Sequence, residues 1–321
     1  MIRFSRLIFA ALAVGTLAGN SARIAAAAER TIGFALPDLA DSFWVSAAYG
    51  VDDEAGKLGV KVIKLNAGAD TNSTQQISQI QDLIQRKVDA IIVGATNGDA
   101  VKAVVERAIK AGIPVVGISS PPNSKKLAAV ITADHYDMGR LQAECLSKAM
   151  GGKGNVALVG GPSGQAWADI RIKGFKDTLK KSFPDVKVIA ESRTALNRAA
   201  ALKTTEDWIQ RFPDLHGVYA AYDDLGAGVV AALQAAKRDD IKVSTSNLSQ
   251  TASDLLAKGQ LACTSIQQIV AQGRAALQQA LAAAEKKTVK ANVTLPALLV
   301  TADNLKSIDL SNVTAPASYH P

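Results

Sequence analysis

The sequence predicts an α/β protein with two doubly wound lobes, each built around a parallel sheet. Short β-branched runs alternate with longer amphipathic runs from residue 30 onward, and the same alternation restarts near residue 155. The chain of 321 residues is long enough for two domains of ordinary size. Its 48% hydrophobic and 20% charged residues are typical of globular proteins, which excludes wholly disordered, collagen-like and coiled-coil chains.

The first 28 residues predict an export signal rather than a part of the fold. They carry three arginines and no acidic residue, with an apolar run over 7–19 and small residues at 26–28. That run is shorter than the roughly 20 residues that span a bilayer, so a signal peptide over 1–28 is favoured over an uncleaved membrane anchor. We therefore expect an exported, soluble mature chain.

The net charge depends on this signal. The whole chain carries +7, whereas residues 29–321 carry only +4, spread over short basic pairs such as Lys180-Lys181. A nucleic-acid partner requires a concentrated basic surface. The sequence therefore predicts no nucleic-acid partner.

The elements of the first lobe follow one another as strand and helix. Its strands are predicted at 31–36, 60–65, 88–93 and 113–118. Its helices are predicted at 43–58, 73–87 and 99–111, with N-cap residues at Asn72-Ser73 and terminating glycines at Gly59 and Gly112. The continuous apolar run over 88–93 is typical of a parallel strand covered on both faces.

The second lobe repeats this pattern. Its strands are predicted near 155–160, 186–190, 217–221 and 241–245, and its helices near 136–149, 166–182, 198–211, 224–237 and 250–258. A last series follows, with a short run at 261–266, a helix at 270–285 and a strand at 292–300. The pattern alone does not assign this last series to either lobe.

The loops that follow the predicted strands share a polar and aromatic composition. They are 37–43, 94–98, 119–126, 161–167, 191–196, 222–224 and 246–249. In doubly wound sheets such loops meet at one edge, where ligands bind. A cleft between two lobes that is lined in this way suits a small polar ligand.

The sequence contains no motif that would make the chain an enzyme. His135, His216 and His320 are scattered, and the zinc-helix, nucleophile-elbow and phosphate-loop patterns are absent. Residues 226–231 match the loose dinucleotide fingerprint, but they lie inside a predicted helix, where small residues allow close packing. We expect no cofactor, no metal and no catalytic residue.

The two cysteines lie in different predicted elements. Cys145 is in a helix and Cys263 is in a late strand. Export permits a disulfide, but the sequence cannot bring the two Cα atoms within reach of each other. Two separate buried thiols are favoured over a bridge.

The strongest candidate contacts combine aromatic and acidic side chains. Asp41, Phe43 and Trp44 follow the first strand and open the first helix, where two adjacent rings cannot both face one core. A ring that projects into the cleft can stack on a sugar while a carboxylate accepts hydroxyl hydrogen bonds. The same group could hold a cation by cation–π contact. The alternative is ordinary packing of the helix.

The second lobe offers candidates on the opposite wall. Trp167 and Asp169 open its first helix, and Tyr222 and Asn247 follow later strands. Asp223, next to Tyr222, is either a ligand contact or only an N-cap. These positions complete a polar and aromatic lining for the cleft.

Several short motifs occur in a fixed order over residues 30–300. They are Asp41-Ser42-Phe43-Trp44-Val45-Ser46, Ile91-Ile92-Val93 through Asp99-Ala100-Val101, Ala111-Gly112-Ile113-Pro114-Val115, Arg171-Ile172-Lys173-Gly174-Phe175 and Gly259-Gln260-Leu261-Ala262-Cys263-Thr264. Each motif is weak alone, but in this order behind a signal peptide they are specific. The chain resembles the type-1 periplasmic sugar-binding proteins, the ribose-binding group of receptors for ATP-driven importers.

The resemblance implies two lobes joined by a three-stranded hinge. The N-terminal lobe would hold 29–132 plus 265–294, and the C-terminal lobe 133–264 plus 295–321. Gln267 would fall in the hinge, at a position that looks like the family's ligand-contacting glutamine. The candidate ligand contacts are then Asp41, Phe43, Trp44, Ser119, Asp134, Trp167, Asp169, Tyr222, Asn247 and Gln267.

The chain also departs from the family pattern. Gly94 replaces the usual asparagine after the third strand, and Ser119-Ser120 replaces the Asp-Arg pair that holds a pyranose. Asp169, two residues before Arg171, stands where the family has a ligand-gripping arginine. The loss of both arginines argues against an ordinary aldopyranose as the ligand.

A second resemblance competes with the first. Stretches such as Lys57-Leu58-Gly59-Val60 and Val270-Ala271-Gln272-Gly273-Arg274 look like the related periplasmic receptor for trimethylamine N-oxide. The sequence thus predicts a monomeric periplasmic solute-binding protein that delivers a sugar or polyol to an inner-membrane ABC permease. The alternative is a sensor that binds a methylated amine or N-oxide and signals to a membrane histidine kinase.

Overall fold

The computed structural model describes residues 1, 30–163, 165–193 and 197–321. The predicted signal peptide, apart from Met1, lies outside the described residues, as do Gly164 and residues 194–196 of two predicted loops. Within the described part of the chain, no helix is long and apolar enough to cross a membrane.

Twelve strands and nine helices alternate along the described residues. The strands are β1 (Thr31–Leu36), β2 (Lys61–Asn66), β3 (Ala90–Val93), β4 (Val115–Ile118), β5 (Ala129–Ala133), β6 (Gly154–Val159), β7 (Val186–Ser192), β8 (Leu215–Ala220), β9 (Lys242–Ser246), β10 (Cys263–Ile266), β11 (Asn292–Leu295) and β12 (Leu298–Val300). The helices are α1 (Ser42–Leu58), α2 (Ser73–Gln85), α3 (Lys102–Lys110), α4 (His135–Ala149), α5 (Ala166–Ser182), α6 (Arg198–Arg211), α7 (Asp223–Ala235), α8 (Gln250–Ala257) and α9 (Ile269–Ala284).

The strands form two six-stranded sheets, one in each lobe. The first sheet has the order β11-β5-β4-β3-β1-β2 with parallel pairing throughout. The second has the order β12-β10-β9-β8-β6-β7, parallel except for the antiparallel edge strand β12. The predicted fold class, two doubly wound α/β lobes, is confirmed.

Each sheet is covered by helices on both faces. In β3, Ala90 and Ile92 belong to the core cluster shared with α1 and α9, whereas Ile91 and Val93 belong to the cluster shared with α2 and α3. Successive side chains of a strand point to opposite faces. A strand that is buried on both sides is therefore apolar at every position, as the run over 88–93 indicated.

The chain passes between the two sheets three times. It leaves the first sheet after β5, returns from β10 to α9, which packs on the first lobe, and passes again from β11 to β12. Pro296 lies between these last two strands. The predicted strand over 292–300 is therefore two short strands in two different sheets.

The last residues connect the lobes once more. Leu305, Ile308 and Leu310 pack on the core of the second lobe, whereas Tyr319 packs on that of the first. The Ala315 amide donates to Ser46 Oγ in α1 at 3.0 Å. The predicted lobe bounds, with all of 295–321 in the second lobe, do not include this return.

A disulfide joins Cys145 in α4 to Cys263 in β10. The two Cα atoms are 6.6 Å apart although 118 residues separate them along the chain. The preference for two separate thiols was wrong, because α4 packs across the sheet directly against β10. That contact depends on the sheet order, which local sequence patterns do not contain.

Candidate functional site

The strand order determines where the two lobes can bind a ligand. In each sheet the first strand of the lobe, β1 or β6, lies between the second and the third, so the strand order reverses beside it. The loops at the carboxyl ends of strands diverge at such a reversal and leave a crevice. The loops after β1 and β3 meet those after β6 and β8 across the space between the lobes.

A central cavity of about 60 Å³ lies at this meeting point. Its walls come from both lobes and from the hinge. The lining residues are Asp41, Phe43, Trp44, Asp70, Ala95, Thr96, Ser119, Ser120, His135, Gln165, Trp167, Arg171, Tyr222, Asn247 and Gln267. Two larger spaces of about 400 and 530 Å³ adjoin it and share several of these residues.

The start of α1 supplies the aromatic wall of the first lobe. Asp41 is the N-cap, and its Oδ1 accepts the Phe43 amide at 2.9 Å. The rings of Phe43 and Trp44 meet edge to face, with centroids 5.3 Å apart. Trp44 is buried and Phe43 is half-buried, and both rings line the cavity.

Gly94, after β3, makes room for the Trp44 indole. A Cβ at position 94 would lie 2.3 Å from two carbon atoms of that ring. Cβ contacts in proteins are essentially never this short, so a larger residue and this tryptophan position exclude each other. The departure from the family's asparagine is thus coupled to the large ring at position 44.

One hydrogen bond crosses the cleft directly. Tyr222, at the start of α7 in the second lobe, donates from its hydroxyl to Asp41 Oδ2 at 2.6 Å. Burial raises the pKa of Tyr222 well above its usual value, so the phenol keeps its proton and donates it to Asp41. Burial also raises the pKa of Asp41, although the hydrogen bond from Tyr222 opposes that rise. This contact joins the two lobes in the described conformation.

A buried guanidinium lies at the second-lobe wall. Arg171 in α5 is 1% exposed, donates from Nη1 to the Ala221 carbonyl at 2.7 Å and lies over the Trp167 ring at 4.8 Å. Burial lowers the pKa of Arg171 to about 10, which leaves it charged at neutral pH. His135 faces its Nε atom at 3.3 Å, and burial holds the pKa of that imidazole well below its usual range.

Polar side chains at the hinge form a connected chain. Gln267 donates to Asn247 Oδ1 at 3.3 Å, and Gln272 donates to Gln267 Oε1 at 3.2 Å. Asn247 follows β9 and Ser119 follows the equivalent strand β4, and both adopt left-handed backbone with φ of 69° and 56°. Non-glycine residues in this region carry strain, which is typical of sites where side-chain position matters.

Eight of the ten predicted contact residues line the central cavity, and two do not. Asp134 is the N-cap of α4 and lines only the adjoining space of about 530 Å³. Asp169 is exposed and pairs with Arg193 within its own lobe. Asp169 and Arg171 are two positions apart on one helix, about 200° around its axis, so only Arg171 faces the cavity.

Several lining residues were absent from the predicted set. Asp70, Thr96, Ser120, Gln165, His135 and Arg171 line the cavity as well. Asp70 follows β2, and that loop was omitted although it lies at the same sheet edge as the others. The rule that loops after parallel strands share an edge would have found it.

Asp223 is not the N-cap that was considered for it. Tyr222 holds the N-cap position, and Asp223 Oδ2 accepts the Ser249 amide at 2.8 Å. It is 6% exposed, and burial raises its pKa to about 6.

Within the described residues, no group of three or more potential metal ligands occurs.

Comparisons with known proteins agree with this geometry. The family model described as periplasmic binding protein domain matches residues 32–288. The ribose import binding protein RbsB of Bacillus subtilis is 30% identical over 66% of this chain and 68% of its own length. The xylitol-binding protein of Mycolicibacterium smegmatis is 29% identical over 93% of this chain and 85% of its own length.

A solved structure extends the comparison to the fold. The carbohydrate transporter solute-binding protein of Agrobacterium radiobacter, in complex with D-arabinose, superposes with a TM-score of 0.81 at 30% identity. The match covers 88% of this chain and 97% of that protein. The ligands named for these relatives are ribose, xylitol and D-arabinose, which supports the first resemblance and not the sensor alternative.

Proposed function

The chain belongs to the periplasmic binding proteins of the type-1 sugar-binding group, and from this we propose that it captures a sugar or polyol for an ABC-type importer. The relatives named above include an import binding protein and a polyol-binding protein, and the related structure holds D-arabinose. The proposed role is binding and delivery, without catalysis. The proposed partners are a small polar ligand and an inner-membrane permease, with the chain acting as a monomer.

The observation that carries this proposal is the cavity whose walls come from both lobes. Asp41, Phe43 and Trp44 face Trp167 and Tyr222 across it. A ligand that touches both walls stabilises the closed arrangement over an open one, because only the closed arrangement provides all contacts at once. Closure on the ligand is the signal that a permease can recognise.

The proposed contacts divide by chemistry. The rings of Phe43, Trp44 and Trp167 stack on the apolar face of the ligand. The amides and hydroxyls of Ser119, Asn247 and Gln267, together with the Asp41 carboxylate and the Tyr222 phenol, exchange hydrogen bonds with its hydroxyl groups. Asp134 and Asp169 are left out of the proposed contacts, because neither lines the central cavity.

The proposed movement is a rotation of the lobes about the three passages of chain at 133–135, 266–269 and 295–298. The lobes keep the predicted bounds, 29–132 plus 265–294 and 133–264 plus 295–321, except that the last residues bridge both. Hinge motions of this kind need backbone rotations at only a few residues.

The proposed location is the periplasm, after removal of residues 1–28. The Cys145–Cys263 disulfide supports export, because such bonds persist in oxidising compartments and are rare in the cytosol. A soluble receptor in this compartment can meet both the incoming ligand and the permease.

Isothermal titration and thermal shift with a panel of pentoses, hexoses and polyols test the proposal. A ligand at about 100 times its Kd should stabilise the protein by roughly 2.7 kcal/mol. Trp44→Ala and Trp167→Ala should each weaken binding at least about tenfold through the loss of a stacking face. Trp208→Phe, in the core of the second lobe, is the matched control and should keep the affinity. Unchanged affinity in both cavity variants would contradict the proposed site.

A further inference from the structure

The central cavity holds more negative than positive side chains. Asp41 and Asp70 both line it from the first lobe, and Asp223 lies close behind Tyr222. Within the described residues, none of these three carboxylates forms an ion pair with a lysine, arginine or histidine. Their protein donors are the Phe43 amide and Tyr222 hydroxyl for Asp41 and the Ser249 amide for Asp223. Asp70 lies beside the Trp44 side chain.

The cations that face the cavity do not balance these charges. Arg171 already donates to the Ala221 carbonyl and stacks on Trp167 within the second lobe. His135 is neutral at pH 7, because burial and the neighbouring Arg171 lower its pKa. The cavity wall therefore presents one positive side chain, Arg171, against the two carboxylates of Asp41 and Asp70.

Neutral polar groups cover the rest of the lining. Hydroxyls and amides come from both lobes and the hinge, namely Thr96, Ser119, Ser120, Gln165, Asn247 and Gln267. Side chains of this kind exchange hydrogen bonds with hydroxyl groups, whereas the rings of Phe43, Trp44 and Trp167 offer apolar faces. A polyhydroxylated ligand fits this part of the wall.

We infer that the cavity is selective for a polyhydroxylated ligand that carries one protonated amino group, held by the carboxylates of Asp41 and Asp70. The inference rests on the proposed function and narrows its ligand class from sugars and polyols to their amino derivatives. A neutral ligand would leave both carboxylates without a counter-charge when the lobes close. An ammonium group balances that charge and donates hydrogen bonds that are stronger than those of a hydroxyl.

Asp70 is the residue best placed for this contact. It lies at the edge of the cavity with its side chain exposed to solvent, so it can reach a ligand, and Trp44 lines the same wall. The surrounding protein and the carboxylates of Asp41 and Asp38 raise the pKa of Asp70, and solvent screens part of that effect. An ammonium group between these carboxylates would attract each of them and so offset their mutual repulsion.

Amine binding should weaken in mild acid. The titratable and charged groups near Asp41 are Asp38, Tyr222, Asp223 and Asp224. Those near Asp70 are Asp38, Asp41 and Tyr222. Arg171 and His135 also line the cavity. Desolvation by the surrounding protein raises the pKa of Asp70 to about 6, so this carboxylate takes up a proton as the pH falls toward 5.5. Burial raises the pKa of Asp41 as well, which acts in the same direction. The amine stays protonated over that range, so the loss of affinity comes from the protein.

Matched ligand pairs test the inference on the exported protein. The pairs are D-glucosamine with D-glucose, 1-amino-1-deoxy-D-sorbitol with D-sorbitol, and an amino-deoxy-inositol with myo-inositol, titrated by calorimetry at pH 7.0 and 5.5. At least one amine should bind about tenfold more tightly than its parent at pH 7.0, and this preference should shrink at pH 5.5.

Three variants assign that preference to the carboxylates. Asp70→Asn should reduce the preference at least about fivefold while affinity for the neutral parent changes less than about twofold. Asp41→Asn should reduce the preference by a similar factor and should also weaken binding of the neutral parent, because the oxygen that accepts the Tyr222 hydroxyl is replaced by an amide nitrogen. In Asp41→Asn the new amide oxygen can still accept the Phe43 amide, so the helix cap is kept. Asp303→Asn, at an exposed carboxylate outside the cavity, is the control and should preserve the preference.

The outcomes separate this inference from the proposed function. Equal or tighter binding of every neutral parent overturns the inference and leaves the sugar or polyol importer intact. A preference that survives both Asp70→Asn and Asp41→Asn also overturns it. Binding of choline or trimethylamine N-oxide without binding of any polyhydroxylated compound contradicts both proposals, as does a panel in which no compound binds.

Discussion

Single residues determine how the cavity wall is shaped. The Trp44 ring occupies the space that any side chain at position 94 would need. The φ of Gly94 lies outside the left-handed region, so its role is to leave space rather than to permit an unusual backbone. The glycine at position 94 and the position of the Trp44 ring therefore depend on each other in the wall of the first lobe.

Gly94→Ala should destabilise the protein and weaken ligand binding, because the new Cβ forces the buried indole out of its position. Overpacking of this kind costs about 1–3 kcal/mol. Urea unfolding and calorimetric titration measure the two effects. Gly56→Ala in α1 is the control, because open space surrounds that position and alanine favours helix there. A Gly94→Ala protein with unchanged stability and affinity would contradict the coupling.

The cavity is lined by Arg171 and not by Asp169, which was the predicted contact on the same helix. Asp169 and Arg171 lie on one helix, yet only Arg171 is buried and faces the cavity. The sequence placed this helix at the cleft correctly. Its rotation about its own axis is determined by packing of α5 against α4 and the sheet, which no local pattern contains.

At the scale of elements, the disulfide fixes α4 to the strand beside the hinge. Cys263 is fully buried in β10, and its partner Cys145 lies on the helix that follows the first passage between lobes. Two segments adjacent to the hinge are thereby joined within the second lobe. The long loop that the bond closes, with its ends 118 residues apart, restricts the unfolded chain strongly.

Removal of this bond by Cys145→Ala with Cys263→Ala should lower the free energy of unfolding by about 2–5 kcal/mol. The ligand affinity should change little, because neither cysteine lines the cavity. Urea unfolding with and without reductant measures the effect. Reductant should lower the free energy of unfolding of the natural chain to that of the double variant. An unchanged free energy of unfolding in reductant would argue against the bond.

The C-terminal segment is a second element that joins distant parts. The Tyr319 hydroxyl donates to Asp52 Oδ2 at 2.6 Å, and its ring meets Tyr49 edge to face at 5.2 Å. Lys64 pairs with the same aspartate. The end of the chain is thus held on the first lobe after packing on the second.

Tyr319→Phe should lower the free energy of unfolding by about 1–2 kcal/mol, because a half-buried carboxylate loses a hydrogen bond. Tyr136→Phe is the matched control. Its hydroxyl also donates to an aspartate, Asp177 at 3.1 Å, but on the exposed surface, so we expect no measurable loss. Equal effects of the two substitutions in denaturant unfolding would refute the role given to the C-terminal segment.

At the scale of the whole molecule, the Tyr222–Asp41 hydrogen bond ties the position of one lobe to that of the other. It joins the N-cap of α1 to that of α7 directly across the cavity. Bonds between a neutral donor and a charged acceptor contribute about 1.5–3 kcal/mol. A contribution of that size is enough to shift a balance between closed and open forms about tenfold or more.

Tyr222→Phe should therefore open the ligand-free protein and weaken ligand binding about tenfold. Small-angle scattering reports the opening as a larger radius of gyration, and titration reports the affinity. Tyr219→Phe is the control, because the Tyr219 hydroxyl is buried in the second lobe without a partner among the described residues. A Tyr222→Phe protein with unchanged scattering and affinity would show that the bond does not hold the lobes together.

The sequence by itself determined the fold class, the positions of most strands and helices, and eight of the residues that line the cavity. Most of these follow from local rules: the period of apolar residues, helix caps such as Asn72, and the placement of ligand loops after parallel strands. Gln267 and Ser119 were predicted from the resemblance to the family. The strand β5 was missed. The run over 292–300 was taken as one strand, because nothing local marks the change of sheet at Pro296.

Only the tertiary structure decided which distant side chains meet. The Cys145–Cys263 bond depends on the sheet order, and the position of Arg171 rather than Asp169 at the cavity depends on the rotation of α5. The charge of the cavity likewise emerges only when loops from both lobes are brought together. Local patterns determine the strands and helices, whereas long-range packing determines which side chains lie next to each other. The ligand binds to side chains that only this packing brings together.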